Sequence, residues 1–307
     1  YDPSEFNNRR GDDIKTTLNM HLQDVMHTEL SNAVIKYEAK EGVAILMEVK
    51  TGAIKAISNL ANQDGIVSEV KNTAIGASSE PGSTFKLMAM MVALDDKVID
   101  TSTVVDTEKG VLMLHGRKVE DSQRGGYGKI SAARVFEVSS NVGIVKMIKE
   151  HYDDKPQNFI DKLEEYGFTK PIGFQIKGEG KPKVPKPTDK SWNKISLEWM
   201  SWGYGVSVTA MQTLMFYNAV ANDGVMVKPR FIKELRREDK VEKVFETEIV
   251  NPKIASEETL KKIRKVMENV VIKGTADNIY SPNFSMAGKT GTAKKYIPRT
   301  KNSKGEW

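Results

Sequence analysis

Residues 85–94 read Phe-Lys-Leu-Met-Ala-Met-Met-Val-Ala-Leu, an apolar stretch interrupted only by Lys86. A helix that is apolar almost all round must be buried, so this stretch predicts a core helix. Pro81 and Gly82 mark its start, with Ser83 between them and the apolar run. The i, i+3 spacing puts Lys86 one turn along from Ser83 on the same face, so the amine comes within reach of the hydroxyl. The first helical turn also offers backbone N–H groups and the positive end of the helix dipole to an oxyanion. Two readings follow: Ser83 is a nucleophile with its base in the same turn, or it is a helix cap followed by a surface lysine.

With 307 residues and 39% apolar composition, the chain has enough material for a proper core, and one domain is the simplest organisation. A net charge of +5 is modest and argues against nucleic acid as a partner. The densest basic stretch, KTGTAKKYIPRTKNSKGEW at the C-terminus, reads as a solvated loop. The absence of cysteine excludes disulfides and thiolate metal sites. His21, His27, His115 and His151 are too scattered for a zinc site. No signal peptide or membrane-spanning run is present, and the abrupt start at Tyr1 reads as the middle of something longer.

Along the chain, Leu22, Val25, Met26, Leu30, Val34 and Tyr37 recur at helical spacing and predict an amphipathic helix packed on a core. GVAILMEV and AIKAISN, joined by Lys50-Thr51-Gly52, predict an antiparallel hairpin, its first strand buried on both faces. ANQDGIVSEVKNTAIGASSE reads as a polar loop. SAARVFEVSSNVGIVKMIKEH predicts two helices broken at Ser139 and Ser140, and FIDKLEEYGF a further helix. KGEGKPKVPKPTDK is an exposed, irregular excursion. Thr209 and Gln212 have capping-box spacing ahead of a helix that Gly224 closes, and Ser256 is the N-cap of another. MAGKTGTAKKYI predicts a third strand.

Three short patterns recur. Ser-x-x-Lys occurs at Ser68, Ser83 and Ser191, Ser-x-Asn at Ser139, Ser191 and Ser281, and Lys-Thr-Gly at Lys50 and Lys289. Each alone is noise; context separates the copies. Of the three serines only Ser83 opens a buried helix. Lys50-Thr51-Gly52 is a hairpin turn. Lys289-Thr290-Gly291-Thr292 lies in a strand-like stretch, where a glycine weakens pairing unless another backbone must come close.

What remains is an ordered set: Ser83-Thr84-Phe85-Lys86, then Ser139-Ser140-Asn141, then Lys289-Thr290-Gly291-Thr292. That triple is the signature of β-lactamases and penicillin-binding proteins. The chain resembles the transpeptidase domain of a class B penicillin-binding protein over almost its whole length. The supporting stretches are TTLNMHLQ, MEVKTGAIKAISN, SSEPGSTFK, VSSNVGIVKM, WGYGVSVTAMQ, YNAVANDGVMVKP, IKGTA and MAGKTGTAKK. WGYGVSVT and an NNR-like element near the start most resemble the septal, cell-division type.

The resemblance implies an α+β fold of the penicillin-binding protein and serine β-lactamase kind, an antiparallel sheet flanked by helices. It implies that 1–16 is a linker from an absent anchor or pedestal region and that 17–307 is the transpeptidase domain, C-terminally incomplete because the family continues into two more strands and a helix. It also implies attachment to the bacterial inner membrane with the domain on the periplasmic side.

A serine hydroxyl needs a base, and without a suitable histidine the amine must serve. Burial and a nearby cation both favour neutral lysine, so Lys86 facing Lys289 is expected to be the base for Ser83. The resemblance further implies that Ser139 relays the proton to the leaving amine, and that Asn141 holds Lys86 and the substrate amide. By the same resemblance Lys289 supplies positive potential, Thr290 and Thr292 grip a terminal carboxylate, and Gly291 lets the substrate lie along the strand. The oxyanion hole would be the N–H groups of Ser83 and Thr292. The implied reaction is D,D-transpeptidation of peptidoglycan stem peptides through a Ser83 acyl-enzyme, without metal or organic cofactor. β-Lactams would acylate the same serine, and divisome membrane proteins, including a glycosyltransferase, would be partners. Two alternatives stay open: a serine β-lactamase, although no base for a deacylating water emerges from the chain, and a β-lactam sensor or scaffold without turnover. Trp202, Tyr204 and Gly205 are read either as site residues or as core and turn.

Overall fold

The computed structural model describes residues 11–174 and 176–294. The NNR-like element, most of the expected 1–16 linker and the basic stretch after Lys294 lie outside the described residues. Where one domain is the expectation, the described chain gathers into two compact units, each assembled from separated stretches. One takes residues 11–78, 165–182 and 208–260; the other takes 79–164, 183–207 and 261–294. All the ladders between strands with an assigned register are antiparallel, and with the helices around them the chain is α+β.

In the first unit the expected hairpin forms from Glu41–Met47 and Ile54–Gln63. Ile66–Glu69 extends it to three strands inside the stretch read as a polar loop. Asp64 and Gly65 turn the chain there, both at positive φ, as a two-residue hairpin requires. The helix Met20–Lys36, capped by Asn19 accepting from the Leu22 N–H, packs on this sheet. A Cβ on Gly42 would lie 2.7 Å from a Val34 methyl, so the helix rests directly on the first strand. The helix and the strand form as expected, but both are less buried than expected. Val34 alone of the helix is buried, with Val25 and Tyr37 exposed, and of Glu41–Met47 only Met47 is buried. Among the described residues the strand pairs on one side only, as an edge of the sheet. A second sheet joins Asp13–Thr16, Ile232–Arg237 and Lys240–Val244, so residues 13–16 of the expected linker are a strand. The capping box of Thr209 and Gln212 is present at the head of helix Ala210–Ala221.

In the second unit the apolar run becomes helix Lys86–Asp95, with every residue from Lys86 to Leu94 buried. Ala132–Glu137 and Asn141–Tyr152 flank it, separated by the expected break at Ser139 and Ser140. The hairpin Val111–Leu114 and Arg117–Glu120 turns at His115 and Gly116 and ends beside that break. The third strand expected over MAGKTGTAKKYI is not one within the described residues. Among the described residues, 286–294 have no ladder partner, and single bonds such as the Gly288 N–H to the Met267 carbonyl at 3.2 Å hold them. No helix among the described residues is long and apolar enough to cross a membrane.

Candidate active site

Ser83 lies in a 3-10 turn, Gly82–Phe85, immediately ahead of helix Lys86–Asp95. In a 3-10 turn the side chains at i and i+3 eclipse, which aligns Ser83 with Lys86 more directly than α-helical spacing does. Glycine is required before the serine. Gly82 has φ +56, and a Cβ there would sit 2.6 Å from the Thr292 carbonyl oxygen. On its other side the Gly82 N–H donates to the Gly203 carbonyl at 3.1 Å, and a Cβ on Gly203 would overlap the Gly82 carbonyl. Three backbones, 203, 82 and 292, are therefore stacked without side chains between them, which sets Ser83 against the Lys289–Thr292 segment.

Lys86 is fully buried and its amine has three oxygen neighbours. It donates to the Ser139 carbonyl at 2.7 Å and to Asn141 Oδ1 at 2.6 Å, and lies 3.2 Å from Ser139 Oγ. Ser139 has φ +57, a left-handed conformation uncommon for a residue with a Cβ. That strain turns both its carbonyl and its hydroxyl toward the amine. Lys289 Nζ donates to Ser139 Oγ at 2.8 Å and to the Thr290 carbonyl at 2.9 Å. Burial holds the Lys86 proton affinity well below that of a free lysine, and the Lys289 charge lowers it further, against a smaller opposing pull from Asp121. Burial also brings Lys289 down to about 8.

The two acceptors decide what a neutral Lys86 would look like. A carbonyl and an amide oxygen accept but never donate, so an –NH2 group spends both hydrogens on them. Its lone pair is then left for the hydroxyl side of the site. Ser139 Oγ receives a hydrogen from Lys289 and lies beside the Lys86 amine, so it bridges the two lysines.

A cleft of about 780 Å³ is lined by Ser83, Ser139, Asn141, Thr290, Gly291 and Thr292. With Lys86 and Lys289 behind its wall, all eight residues expected from the sequence come together. Two details differ from expectation. The Thr290 hydroxyl is 2.6 Å from that of Thr275, another cleft residue. The space that Gly291 leaves is occupied by the protein itself: a Cβ would lie 2.7 Å from the Thr84 methyl. Trp202 also lines the cleft, and Tyr204, its ring tilted by 50° against Trp202 with centroids 4.4 Å apart, accepts a hydrogen bond from the Lys294 N–H. Among the cleft residues that went unread in the sequence are Thr275, Glu120, whose carbonyl accepts from Asn141 Nδ2 at 2.7 Å, and buried Asp121. Thr275 lay inside IKGTA without an assigned role; the other two carry no local pattern.

A serine one turn ahead of a buried, proton-poor amine and a second hydroxyl bridging that amine to an ammonium form a constellation suited to serine–lysine acyl transfer. Residues 42–307 match the family model of the penicillin binding protein transpeptidase domain, and the chain belongs to that family. It is 30% identical to stage V sporulation protein D of Bacillus subtilis, over 93% of this chain and 45% of that protein. It is 28% identical to the peptidoglycan D,D-transpeptidase FtsI of Escherichia coli K12, over 97% of this chain and 48% of that one. The chain thus spans about half the length of these relatives. Among solved structures it resembles penicillin-binding protein 3 of Mycobacterium tuberculosis complexed with aztreonam, with TM-score 0.81, 27% identity, and coverage of 94% of this chain and 66% of that one. The apo transpeptidase domain of Burkholderia pseudomallei penicillin-binding protein 3 matches with TM-score 0.77, 27% identity, and coverage of 94% and 80%.

Proposed function

We propose that this chain carries the D,D-transpeptidase activity of a septal penicillin-binding protein, with 17–307 as its transpeptidase domain. Ser83 attacks the carbonyl of a D-Ala-D-Ala stem peptide while Lys86 takes its proton. Ser139 passes that proton to the departing D-Ala nitrogen, and the ester on Ser83 is resolved by an amine of a neighbouring stem. Ser83 and Thr292 supply the oxyanion N–H groups, and the second N–H of the Asn141 amide is left for a substrate carbonyl. Lys289 and the Thr290 and Thr292 hydroxyls meet the terminal carboxylate, with Thr275 orienting Thr290. Gly291 allows the close approach of this segment to the serine turn. In the cell the chain works at the inner membrane, facing the periplasm, beside divisome proteins that include a glycosyltransferase.

The observation that carries this reading is the Lys86 amine, fully buried and held by two acceptors that cannot donate. A lysine built to cap a surface has no reason for that arrangement. Among the described residues the carboxylates lining the cleft are Glu120 and Asp121. Glu120 pairs with Lys118 at 2.8 Å and Asp121 is taken up by backbone amides, so a long-lived acyl-enzyme is expected and not a β-lactamase.

Intact-protein mass spectrometry with a penicillin tests the assignment. One adduct, stable for hours, is expected on the wild type and none on Ser83→Ala; an adduct that persists in the variant refutes it. Release of D-Ala with formation of a cross-linked dimer from stem peptides then separates transpeptidation from a sensor that binds without turnover.

A further inference from the structure

Asp121 follows the strand Arg117–Glu120 and is buried beneath the Ser139–Asn141 break. Its carboxylate collects four contacts. Ser140 Oγ lies 3.0 Å from Oδ1 and 2.9 Å from Oδ2, and the N–H groups of Asn141 and Val142 donate to Oδ1 at 2.6 and 3.0 Å. Those amides belong to the first turn of helix Asn141–Tyr152, where amides lack helical partners and an anion is favoured by the dipole.

The carboxylate is itself held in place. The Asp121 N–H donates to the Gly110 carbonyl at 2.9 Å. Gly110 and Gly126 cross so closely, both at positive φ, that a Cβ on Gly110 would lie 2.8 Å from Gly126 Cα and 3.3 Å from Asp121 Cβ. One residue earlier, the Glu120 carbonyl takes Asn141 Nδ2, which leaves Asn141 Oδ1 to face Lys86. Residues 120 and 121 therefore fix both the backbone and the side chain of the group that orients the Lys86 amine.

We infer that Asp121 is a positioning residue for the Ser83–Lys86 reaction: seated on the helix N-terminus, its carboxylate fixes the Ser139–Asn141 loop and sets a buried negative charge against Asn141, which holds the Lys86 amine. The inference rests on the acyl-transfer reading of Ser83. A general base works best with proton affinity matched to the working pH. Charged groups around Lys86 are Lys289 on the segment across it and Asp121 below. On the cleft rim are the Glu120–Lys118 pair, Arg124 and Lys294. On the adjoining helix Ala132–Glu137, Glu137 is already bound to Arg134 and Asn269. Asp121 supplies the negative charge that raises the Lys86 proton affinity.

The test is the rate of acylation by a fluorescent penicillin as a function of pH. Asp121→Asn keeps an oxygen for the amides and removes the charge. Its acidic limb, which follows loss of the Lys86 proton, is expected to move to lower pH by about half a pH unit or more. The plateau is expected to fall about ten-fold. Asp121→Glu and Ser140→Ala keep the charge and disturb the fit, so both lose rate or melting temperature while the limb stays. An unmoved limb in folded Asp121→Asn overturns the inference. If that variant is recovered unfolded, the other two decide: unmoved limbs support the inference and a shifted limb in either overturns it. A wild-type chain that takes up no penicillin instead overturns the acyl-transfer reading on which the inference rests.

Discussion

The tripeptide Lys-Thr-Gly occurs twice, in two different physical settings. At Lys50-Thr51-Gly52 the lysine side chain is 73% exposed and its partner is Asp223 at 3.5 Å. Thr51 hydrogen-bonds to the Glu48 carboxylate, and Gly52 has φ +68 with the Lys228 carbonyl where a Cβ would be. At Lys289-Thr290-Gly291 the lysine is drawn inward to Ser139 Oγ, the threonine meets Thr275, and the glycine gives clearance to Thr84. The first glycine is needed for its backbone angle, the second for the room it leaves. The same three side chains thus close a hairpin in one place and line a cleft in the other. What distinguishes them is desolvation, which gives the second lysine a charge that matters to its neighbours.

The largest effect expected from this contrast is in Lys289→Ala. Loss of the ammonium that holds Ser139 and faces the substrate carboxylate should cut penicillin acylation by about 100-fold or more. Stopped-flow or gel measurement of acylation checks it, and a loss under two-fold would make the two copies equivalent.

The pH dependence of the same lysine comes next. With Lys289 brought down to about 8, its ammonium form and the acylation rate should decline together as pH rises through that value. Stability should move the other way. A free lysine holds its proton to about 10.4, so between the two values the unfolded chain binds more protons than the folded one, and stability rises with pH. Below about 8 both states are protonated and the contribution is flat. Denaturation midpoints at either end of that window, wild type against Lys289→Ala, should show part of the slope vanish in the variant. Lys86, also depressed by burial, adds a slope of the same sign.

The glycines respond differently to alanine. Gly291→Ala puts a methyl against Thr84 and should lower acylation about ten-fold by displacing the segment from Ser83. Thr84→Ser, which removes the obstructing methyl and keeps the hydroxyl bonded to the Pro81 carbonyl, should restore most of the rate. Gly52→Ala should instead cost about 1–3 kcal/mol of stability, read as a lower melting temperature, with little change in acylation by the folded fraction.

The sequence disclosed those parts of the molecule whose cause is local. The Ser83–Lys86 turn, the break at Ser139 and the capping box at Thr209 each rest on residues within four positions of one another. Asp121 was invisible because its partners lie about twenty residues on, at Ser140, Asn141 and Val142. The strand Ile66–Glu69 was legible but unread: Asp64-Gly65 is a hairpin signal inside a stretch that looked merely polar. The hairpin Ile232–Arg237 with Lys240–Val244 turns at Glu238 and Asp239, both at positive φ, where sequence gives no glycine or asparagine to mark it. Residues 286–294 look like a strand by composition, yet strand structure needs a partner, and none pairs with them among the described residues.

The smallest effect expected is in Lys50→Ala. The Lys50 and Asp223 side chains are 73% and 61% exposed, and their 3.5 Å contact is at the loose end of hydrogen bonding. In high dielectric such a pair gains little Coulomb energy and gives up side-chain freedom to hold its geometry, so its loss should cost no more than about 0.5 kcal/mol. The turn itself does not depend on the lysine, because the Gly52 N–H to the Glu48 carbonyl at 3.0 Å and the Glu48 N–H to the Ala53 carbonyl at 2.9 Å close it through the backbone. Acylation should stay within two-fold of wild type. Melting curves at low and high salt give the sharper reading: a surface pair weakens with ionic strength, so the small difference between Lys50→Ala and wild type should shrink further as salt is raised. A loss of acylation comparable to that of Lys289→Ala would mean that burial is not what separates the two tripeptides.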